Sequence, residues 1–310
     1  MSAKPLIIVL GPTASGKTKL AVALADELNG EIISADSRQV FKNMSVGTGK
    51  DLNEYKVGEK DIAYHLIDIK EAGQKYNVNE FKEDFYQAFD LISTQHRLPI
   101  LCGGTGMYIH SILQNHELTS IPINLPIREN LQTLEKKELL SRLQLYPQQL
   151  IQQVDVSSSK RLIRAIEIAE YLMHHQLEKK VRTEIAPMVI GLQSSLEVRR
   201  SRILKRLDYR LNNGLIEEVE KLLNMGISEE TLIFYGLEYK FVSAYLIGKT
   251  NYTELREKLG IAICQFAKRQ MTFFRKMEKD GVMIHWLDAE EDFLTLKHTA
   301  MDRISQFLHH

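Results

Sequence analysis

The sequence predicts an α/β protein in which a parallel sheet forms the core and an all-helical domain is inserted into it. Two observations lead to this prediction. Short apolar runs alternate with amphipathic helical patterns over residues 1 to about 115, as βαβ units require. Strand signals then stop until an apolar run begins at Pro187, and the residues between are polar with leucines at helical spacing. We therefore expect a core of residues 1–119 and 185–310 and a helical insertion of residues 120–184.

A glycine-rich loop joins the first predicted strand, Leu6–Leu10, to the first predicted helix, whose apolar residues recur from Leu20 to Leu28. It reads Gly11, Pro12, Thr13, Ala14, Ser15, Gly16, Lys17, Thr18. Glycines at both ends, a closing Lys-Thr pair and the flanking strand and helix complete the P-loop pattern. Such a loop aims backbone N–H groups and a helix N-terminus at one point, which favours a di- or triphosphate. The core is therefore expected to be P-loop NTPase-like, with Lys17 on the phosphate oxygens and the Thr18 hydroxyl on Mg²⁺.

Two further turns are expected at the same edge of the sheet as the P-loop. Asp36 closely follows the predicted strand Glu31–Ser34, and Gly103–Tyr108, which contains Thr105, follows the predicted strand Leu98–Cys102. Because the carboxyl ends of parallel strands share one crevice, the Asp36 carboxylate should face the P-loop phosphates. There it could act as a base or help to hold the metal. A solvated aspartate in a turn is the plainer alternative.

The formal net charge is zero, from 40 basic and 40 acidic residues, whereas a protein that binds nucleic acid usually carries a basic surface. The charges are unevenly distributed. Residues 157–210 contain twelve Lys and Arg against six Asp and Glu, and residues 51–90 contain five Lys against ten Asp and Glu. A neutral total can therefore hide a basic face suited to RNA. Such side chains on amphipathic helices are as often plain solvated exterior.

Length and cysteine content indicate where the protein works. The chain has 310 residues, 44% of them hydrophobic, which suffices for one large core or a core and a smaller lobe. No apolar stretch approaches about 20 residues, so neither a signal peptide nor a membrane span is expected. Cys102 and Cys264 have no metal-ligand spacing and suit a reducing compartment. We expect a cytoplasmic monomer.

Five segments of the chain resemble the tRNA dimethylallyltransferases, or tRNA isopentenyltransferases, of the bacterial type. In chain order they are Gly11–Thr18, Ser34–Lys50, Gly103–Tyr108, Arg161–Glu167 and Ala267–Thr272. The resemblance implies transfer of a dimethylallyl group from dimethylallyl diphosphate to the exocyclic N6 amine of the adenine on the 3′ side of the tRNA anticodon. It also implies Mg²⁺ as cofactor, and the tRNA anticodon stem-loop and dimethylallyl diphosphate as partners.

The resemblance assigns roles to individual residues. The catalytic candidates are Asp36, Thr13, Lys17, Arg206 and Thr105. All of Gly11–Thr18 would bind diphosphate, and Thr18 would hold the metal. The candidates for tRNA contact are Asp36, Ser37, Arg38, Gln39, Thr105, Arg128, Lys160, Arg161, Leu162, Ile163, Arg164, Lys268, Arg269 and Gln270.

Arg206 belongs to a row with Arg199 and Arg202, whose spacings of three and four place them along one face of a predicted helix. An arginine row is usually solvent-facing. The resemblance favours another interpretation, because Arg202 and Arg206 match an arginine pair of the family that precedes a Gly-Leu-x-x-Glu-Val segment, here Gly214–Val219. Arg206 would then stabilise the departing diphosphate.

The sequence departs from the family pattern at several positions. Phe41 stands where Tyr is usual, Phe273 where Trp is usual, Ile263-Cys264 where Thr-Arg is usual, and 235–238 where Gly-Tyr-Lys/Arg-Glu is usual. These positions fall in regions that the resemblance assigns to RNA contact or its support. The diphosphate-binding residues match.

Three other functions remain open at this point. A small-molecule P-loop kinase would use the same loop with Asp36 as base, but it would not need the insertion or Ala267–Thr272. An isopentenyltransferase acting on free adenine nucleotides would share the donor site and would not need a basic insertion. A non-enzymatic RNA-binding protein would leave the P-loop unexplained.

Overall fold

Alternating strands and helices make up the first part of the chain. The computed structural model describes residues 3–152, 154–178 and 180–309. The elements up to residue 113 are β1 (Lys4–Leu10), α1 (Lys17–Glu27), β2 (Gly30–Ser34), a 3₁₀ turn (Leu52–Tyr55), β3 (Lys56–Val57), β4 (Lys60–Asp61), β5 (Tyr64–His65), α2 (Val78–Thr94), β6 (Leu98–Gly103) and α3 (Gly106–Leu113). The short strands β3 and β4 pair only with each other, antiparallel, and stand apart from the main sheet.

The middle of the chain is helical, and strands return after it. The middle elements are a 3₁₀ turn (Glu117–Ser120), α4 (Leu125–Gln132), α5 (Lys136–Leu143), α6 (Gln148–Ile151) and α7 (Ser159–His174). The later elements are β7 (Ile185–Gln193), α8 (Leu196–Leu211), α9 (Leu215–Asn224), α10 (Glu229–Tyr235), α11 (Leu237–Leu246), α12 (Tyr252–Lys279), β8 (Ile284–Asp288) and α13 (Phe293–Leu308). None of the described helices is long and apolar enough to cross a membrane.

A six-stranded sheet in the order β5-β2-β6-β1-β7-β8 forms the core, and its neighbouring strands are parallel throughout. The predicted α/β class with a parallel, P-loop-type core is confirmed. Leu10 at the end of β1 lies beside Gly103 of β6, and Ser34 at the end of β2 lies beside Cys102. The three turns singled out in the sequence therefore leave the sheet at the same edge.

The central strand β1 is buried on both faces, which explains why the sequence shows a continuous apolar run there rather than an alternating one. Leu6, Ile8 and Leu10 pack into a cluster with side chains of α2, α3, α8, α9 and α12. Ile7 and Val9 point the other way, into a cluster with α1 and α13. Helices thus cover both sides of the sheet.

The chain divides into two compact units, one formed by residues up to Gln114 together with those from Thr183, and the other by Asn115–Arg182. The second unit overlaps the helical insertion predicted at 120–184, but it begins five residues earlier and ends two residues earlier. It has an apolar core of its own, in which side chains of α4 and α5 pack against α7. The core residues are Leu131, Leu139, Leu143, Leu162, Ile163, Ala165 and Ile166.

Candidate active site

A cavity of about 300 Å³ lies at the carboxyl ends of β1, β2 and β6, and α8, α11 and α12 contribute to its wall. Most of the residues that the sequence analysis proposed for chemistry line it. They are Thr13, Ala14, Ser15, Gly16, Lys17, Thr18, Asp36, Ser37, Arg38, Gln39, Thr105, Arg206 and Gln270. The structure therefore brings all five proposed catalytic residues to one place, although they come from four separate stretches of the chain.

The backbone of the P-loop is shaped to receive an anion. Gly16 has φ 82°, in the left-handed region, and no side chain caps the N-terminus of α1. The N–H groups of the first turn are therefore left for a ligand. Ala14 also has a positive φ of 61°, a conformation that is strained for a residue with a side chain. Ser15 is buried, and its Oγ has no hydrogen-bond partner within the described part of the chain.

Gln270 of α12 joins the P-loop to the turn after β6. Its Oε1 accepts a hydrogen bond from the Thr13 N–H at 2.9 Å, and its Nε2 donates to the Gly104 carbonyl oxygen at 2.9 Å. A Cβ on Gly104 would lie 2.5 Å from that Nε2, so a larger residue there would displace the amide. Gln270 was proposed to contact tRNA, but its buried amide already pairs with two backbone groups. It acts here as a brace between the two loops.

Two cations lie beside the loop. The Arg206 guanidinium donates to the Thr13 hydroxyl. Burial, with the nearby Arg210, lowers the pKa of Arg206 to about 10, so it stays charged at neutral pH. Burial also lowers the pKa of Lys17, an effect that the Asp36 carboxylate opposes. Among the described residues neither cation has an ion-pair partner within 4 Å. Partly desolvated cations without a close counter-charge favour an anionic ligand.

The arginine row of α8, formed by Arg199, Arg202 and Arg206, faces the protein rather than the solvent, so the solvent-facing interpretation of this row is wrong. Arg199 is buried, and Arg202 donates to the Ala289 carbonyl oxygen at 2.8 Å. Arg210, which the sequence analysis did not select, is also buried, and its Nη2 donates to Asp51 at 3.0 Å. Its guanidinium packs on Gly49, where a Cβ would clash with it.

Asp36 is held in a turn at the end of β2. Its Oδ1 accepts a hydrogen bond from the Arg38 N–H at 2.9 Å, an Asx-turn geometry. The next residue, Ser37, donates its N–H to the Thr105 hydroxyl at 3.1 Å. Asp36 is half-buried and lines the same cavity as the P-loop. One carboxylate oxygen is oriented by the backbone, which leaves the other to meet a substrate.

Glu218 of α9 holds the neighbouring loop, and the sequence analysis missed it. The carboxylate accepts hydrogen bonds from the N–H groups of Ser45, Val46 and Gly47 at 2.6, 2.7 and 2.9 Å, and from the Tyr239 hydroxyl at 2.8 Å. This loop continues to Gly49, whose carbonyl oxygen accepts from Gln39 at 3.0 Å. Glu218 matches the Glu of the Gly-Leu-x-x-Glu-Val segment, a signal that could have identified it.

The arginines of the second unit that were proposed to contact tRNA differ in whether their guanidinium groups already pair within the protein. Arg128 pairs with the fully buried Glu167 carboxylate through Nε at 3.1 Å and Nη2 at 2.6 Å. Arg164 donates to three carbonyl oxygens of residues 118, 121 and 122 and also lies 3.5 Å from Glu167. Arg161 is exposed and pairs with Asp155 at 2.6 Å.

The remaining proposed contacts also fall into exposed and buried groups. Lys160 is exposed, as are Lys268 and Arg269 on α12. Leu162 and Ile163 are buried in the core of the second unit, so their side chains are not available to RNA. Only the backbone of these two residues could contribute.

Comparison with known proteins supports the family that the motifs suggest. A family model described as "IPP transferase" matches residues 39–277, and one described as "Isopentenyl transferase" matches residues 4–64. A protein of Phocaeicola vulgatus named tRNA dimethylallyltransferase 2 is 51% identical over 92% of both chains. The chain belongs to the tRNA dimethylallyltransferase family. The resemblance inferred from the five motifs is thereby confirmed.

Other tRNA dimethylallyltransferases and their solved structures extend the agreement. The tRNA dimethylallyltransferase 2 of Porphyromonas gingivalis is 51% identical over 92% of this chain and 94% of its own. The crystal structure of a full-length tRNA isopentenylpyrophosphate transferase from Bacillus halodurans superimposes with a TM-score of 0.71 and 30% identity, covering 99% of this chain and 100% of the other. The likeness to a tRNA dimethylallyltransferase thus spans both units, the insertion included.

Proposed function

We propose that the protein transfers the dimethylallyl group of dimethylallyl diphosphate to the N6 amine of the adenine on the 3′ side of the anticodon in tRNA. The observation that carries this proposal is the single cavity in which a P-loop, two cations and the Asp36 carboxylate meet, in a chain of this family. A P-loop kinase would use a similar loop, but family membership favours prenyl transfer. Because the relatives are named for tRNA, free adenine nucleotides are the less favoured acceptors.

The reaction is a substitution at the first carbon of the prenyl chain. The N6 nitrogen of adenine forms the new C–N bond, the C–O bond to diphosphate breaks, and diphosphate leaves with the bonding electrons. The nitrogen must lose one proton, and the Asp36 carboxylate, which lines the cavity, would accept it. The target base has to leave its stack in the anticodon loop, since the cavity walls close around the reacting groups.

The leaving group acquires negative charge as the C–O bond breaks. The P-loop, Lys17 and Arg206 line the cavity, and the loop's N–H groups, the Lys17 ammonium and the Arg206 guanidinium would stabilise that charge. Gln270 and the Thr13–Arg206 contact hold these donors in position before substrate binds. Donors that are already oriented stabilise a transition state without reorganising during the reaction.

The cavity also offers oxygen ligands suited to Mg²⁺. The Thr18 hydroxyl lines it, with the carboxylates of Asp36 and Glu54 in the same wall. Mg²⁺ prefers hard oxygen ligands and is often bound jointly by a protein and a substrate phosphate. Thr18 would hold the ion together with the diphosphate, and the ion would neutralise part of the leaving charge.

The second unit would supply part of the tRNA contact, and the exposed Lys160 and Arg161 are its available cations. Lys268 and Arg269 on α12 and the 36–39 turn beside the cavity would supply the rest. We propose that the enzyme acts as a monomer in the cytoplasm, where its tRNA substrates are found.

Arg161 and Arg164 should respond differently to substitution. Arg161→Ala removes an exposed cation, so tRNA binding should become less salt-dependent. The slope of log affinity against log salt concentration should become shallower by up to about 0.7–0.9 for one lost phosphate contact. Its stability should change by less than about 0.5 kcal/mol. Arg164→Ala instead leaves several carbonyl oxygens without a donor and should cost about 1–3 kcal/mol of stability. Salt titrations of tRNA binding and thermal unfolding measure the two effects, and an unchanged salt slope for Arg161→Ala would exclude it from the RNA contact.

The acceptor is tested by incubating the protein with labelled dimethylallyl diphosphate and either unmodified tRNA, AMP or ATP. We expect label in tRNA alone. Label in AMP or ATP would mean that the chain is an isopentenyltransferase of free nucleotides, and phosphate transfer without prenyl transfer would indicate a kinase.

A further inference from the structure

Phe266 is the aromatic side chain of α12 that lines the cavity. Ile263, Phe266 and Gln270 line the same cavity at spacings of three and four, so one face of the helix forms this wall. Gln270 binds the Thr13 N–H of the P-loop, and Phe266 lies four residues earlier, about 6 Å along the helix axis. The side chain of Phe266 is half-buried. Its place on the helix puts it about one turn from the residue that binds the P-loop.

Two arginines lie over the ring of Phe266. The guanidinium carbon of Arg38 is 5.0 Å from the ring centroid, and that of Arg269 is 5.9 Å away. Arg38 is fixed, because its Nη1 pairs with the poorly exposed Glu238 at 3.1 Å and its guanidinium packs on Gly236. Arg269 is exposed and forms no ion pair with a carboxylate among the described residues. One cation is held in place, and the other can be displaced.

Arg38 also connects the ring of Phe266 to Asp36, the proposed general base. Its backbone N–H binds Asp36, two residues earlier, while its side chain reaches Phe266. Phe266 and Asp36 line the same cavity, so a planar group that lay on the ring would share that cavity with the Asp36 carboxylate. A prenyl carbon that gains positive charge would benefit little there, since the ring already faces two guanidinium groups.

We propose that Phe266 is the stacking platform for the target adenine, and that the base takes the place of Arg269 over the ring. The displaced guanidinium then turns to the RNA phosphates, for which its charge is suited. Nucleobases stack on aromatic side chains in this way when they are drawn out of an RNA loop. The inference rests on the proposed function, and it adds the residue that holds the acceptor base.

The test compares two anticodon stem-loops, one with the target adenine and one with an abasic site at that position. Phe266→Leu keeps an apolar side chain and removes the ring, and Phe266→Tyr keeps the ring. Phe241→Leu is the control, because Phe241 is also half-buried with a cation over its ring, the Lys240 Nζ at 5.7 Å, but lies outside the cavity lining. Thermal unfolding of each variant establishes that it is folded.

Phe266→Leu should weaken binding of the adenine-containing stem-loop by about 5-fold or more, the lower end of what one stacked base contributes. Binding of the abasic stem-loop and the KM for dimethylallyl diphosphate should not change. Phe266→Tyr and Phe241→Leu should bind both RNAs as the wild type does.

Two results would overturn the inference. Equal weakening of both stem-loops by Phe266→Leu would mean that the ring does not contact the base, and a raised donor KM with unchanged RNA binding would assign the ring to the prenyl chain. Failure of the proposed function is a different result, in which the wild-type protein transfers no label to the adenine-containing stem-loop.

Discussion

Replacing Asp36 by alanine should lower the rate of prenyl transfer by about 100-fold or more while inorganic diphosphate and tRNA still bind. We propose that this carboxylate takes the N6 proton, and no described hydrogen bond joins it to the P-loop. Asp36→Asn should slow prenyl transfer by a similar factor. The amide oxygen of Asn can still accept the hydrogen bond from the Arg38 N–H and preserve the turn, but it is too weakly basic to take a proton. Single-turnover rates with saturating donor and tRNA measure the chemical step directly.

Asp288→Asn is a matched control for this experiment. The Oδ1 of Asp288 accepts from the Glu290 N–H at 2.9 Å, the same turn geometry as that of Asp36, but at the end of the edge strand β8. Its rate should equal that of the wild type. Equal turnover by wild type and Asp36→Ala would end the case for Asp36 as the base.

Lys17→Ala and Arg206→Ala should each weaken binding of inorganic diphosphate and slow transfer by about 100-fold or more. Both cations face charge that grows as diphosphate leaves, so the rate should fall more than the affinity for dimethylallyl diphosphate does. The measurements are the dissociation constant of diphosphate and the rate at saturating donor. Arg206→Lys should recover part of the loss, because it retains the charge without the planar fork.

Arg200 lies on the same helix as Arg206 and is exposed, so Arg200→Ala controls for a general loss of positive charge on α8. It should change neither quantity. If Arg206→Ala also left both unchanged, the contact between Arg206 and the Thr13 hydroxyl would be structural only.

The features that the sequence predicted well are those encoded locally. The P-loop pattern depends on eight consecutive residues and their flanks, and the buried strands β1, β6 and β7 appear as apolar runs. The meeting of Asp36 with the P-loop followed from one topological rule, because the carboxyl ends of parallel strands share an edge. The edge strand β8, which contains His285, Trp286 and Asp288, shows no continuous apolar run, and β5 has only two residues. Neither was predicted.

Contacts between distant residues escaped prediction. Glu218 binds the N–H groups of Ser45–Gly47 across more than 170 residues of sequence, and Gln270 binds Thr13 across 257. A residue's type shows that it can form a hydrogen bond but not whether its partner is the protein or the substrate. Gln270 and Arg164 were therefore assigned to RNA although their side chains already bind backbone groups. Phe266 has an ordinary helical spacing, and only the fold places it in the cavity.

We propose that the cavity transfers a dimethylallyl group to a single adenine of tRNA. This proposal is tested most directly by digesting tRNA after reaction with dimethylallyl diphosphate and identifying the modified nucleosides and their position by mass spectrometry. We expect dimethylallyl on N6 of the adenine on the 3′ side of the anticodon, formed by the wild type and nearly absent with Asp36→Ala. A prenyl group at another nucleoside, the same yield from both proteins, or no modification of any tRNA would contradict it.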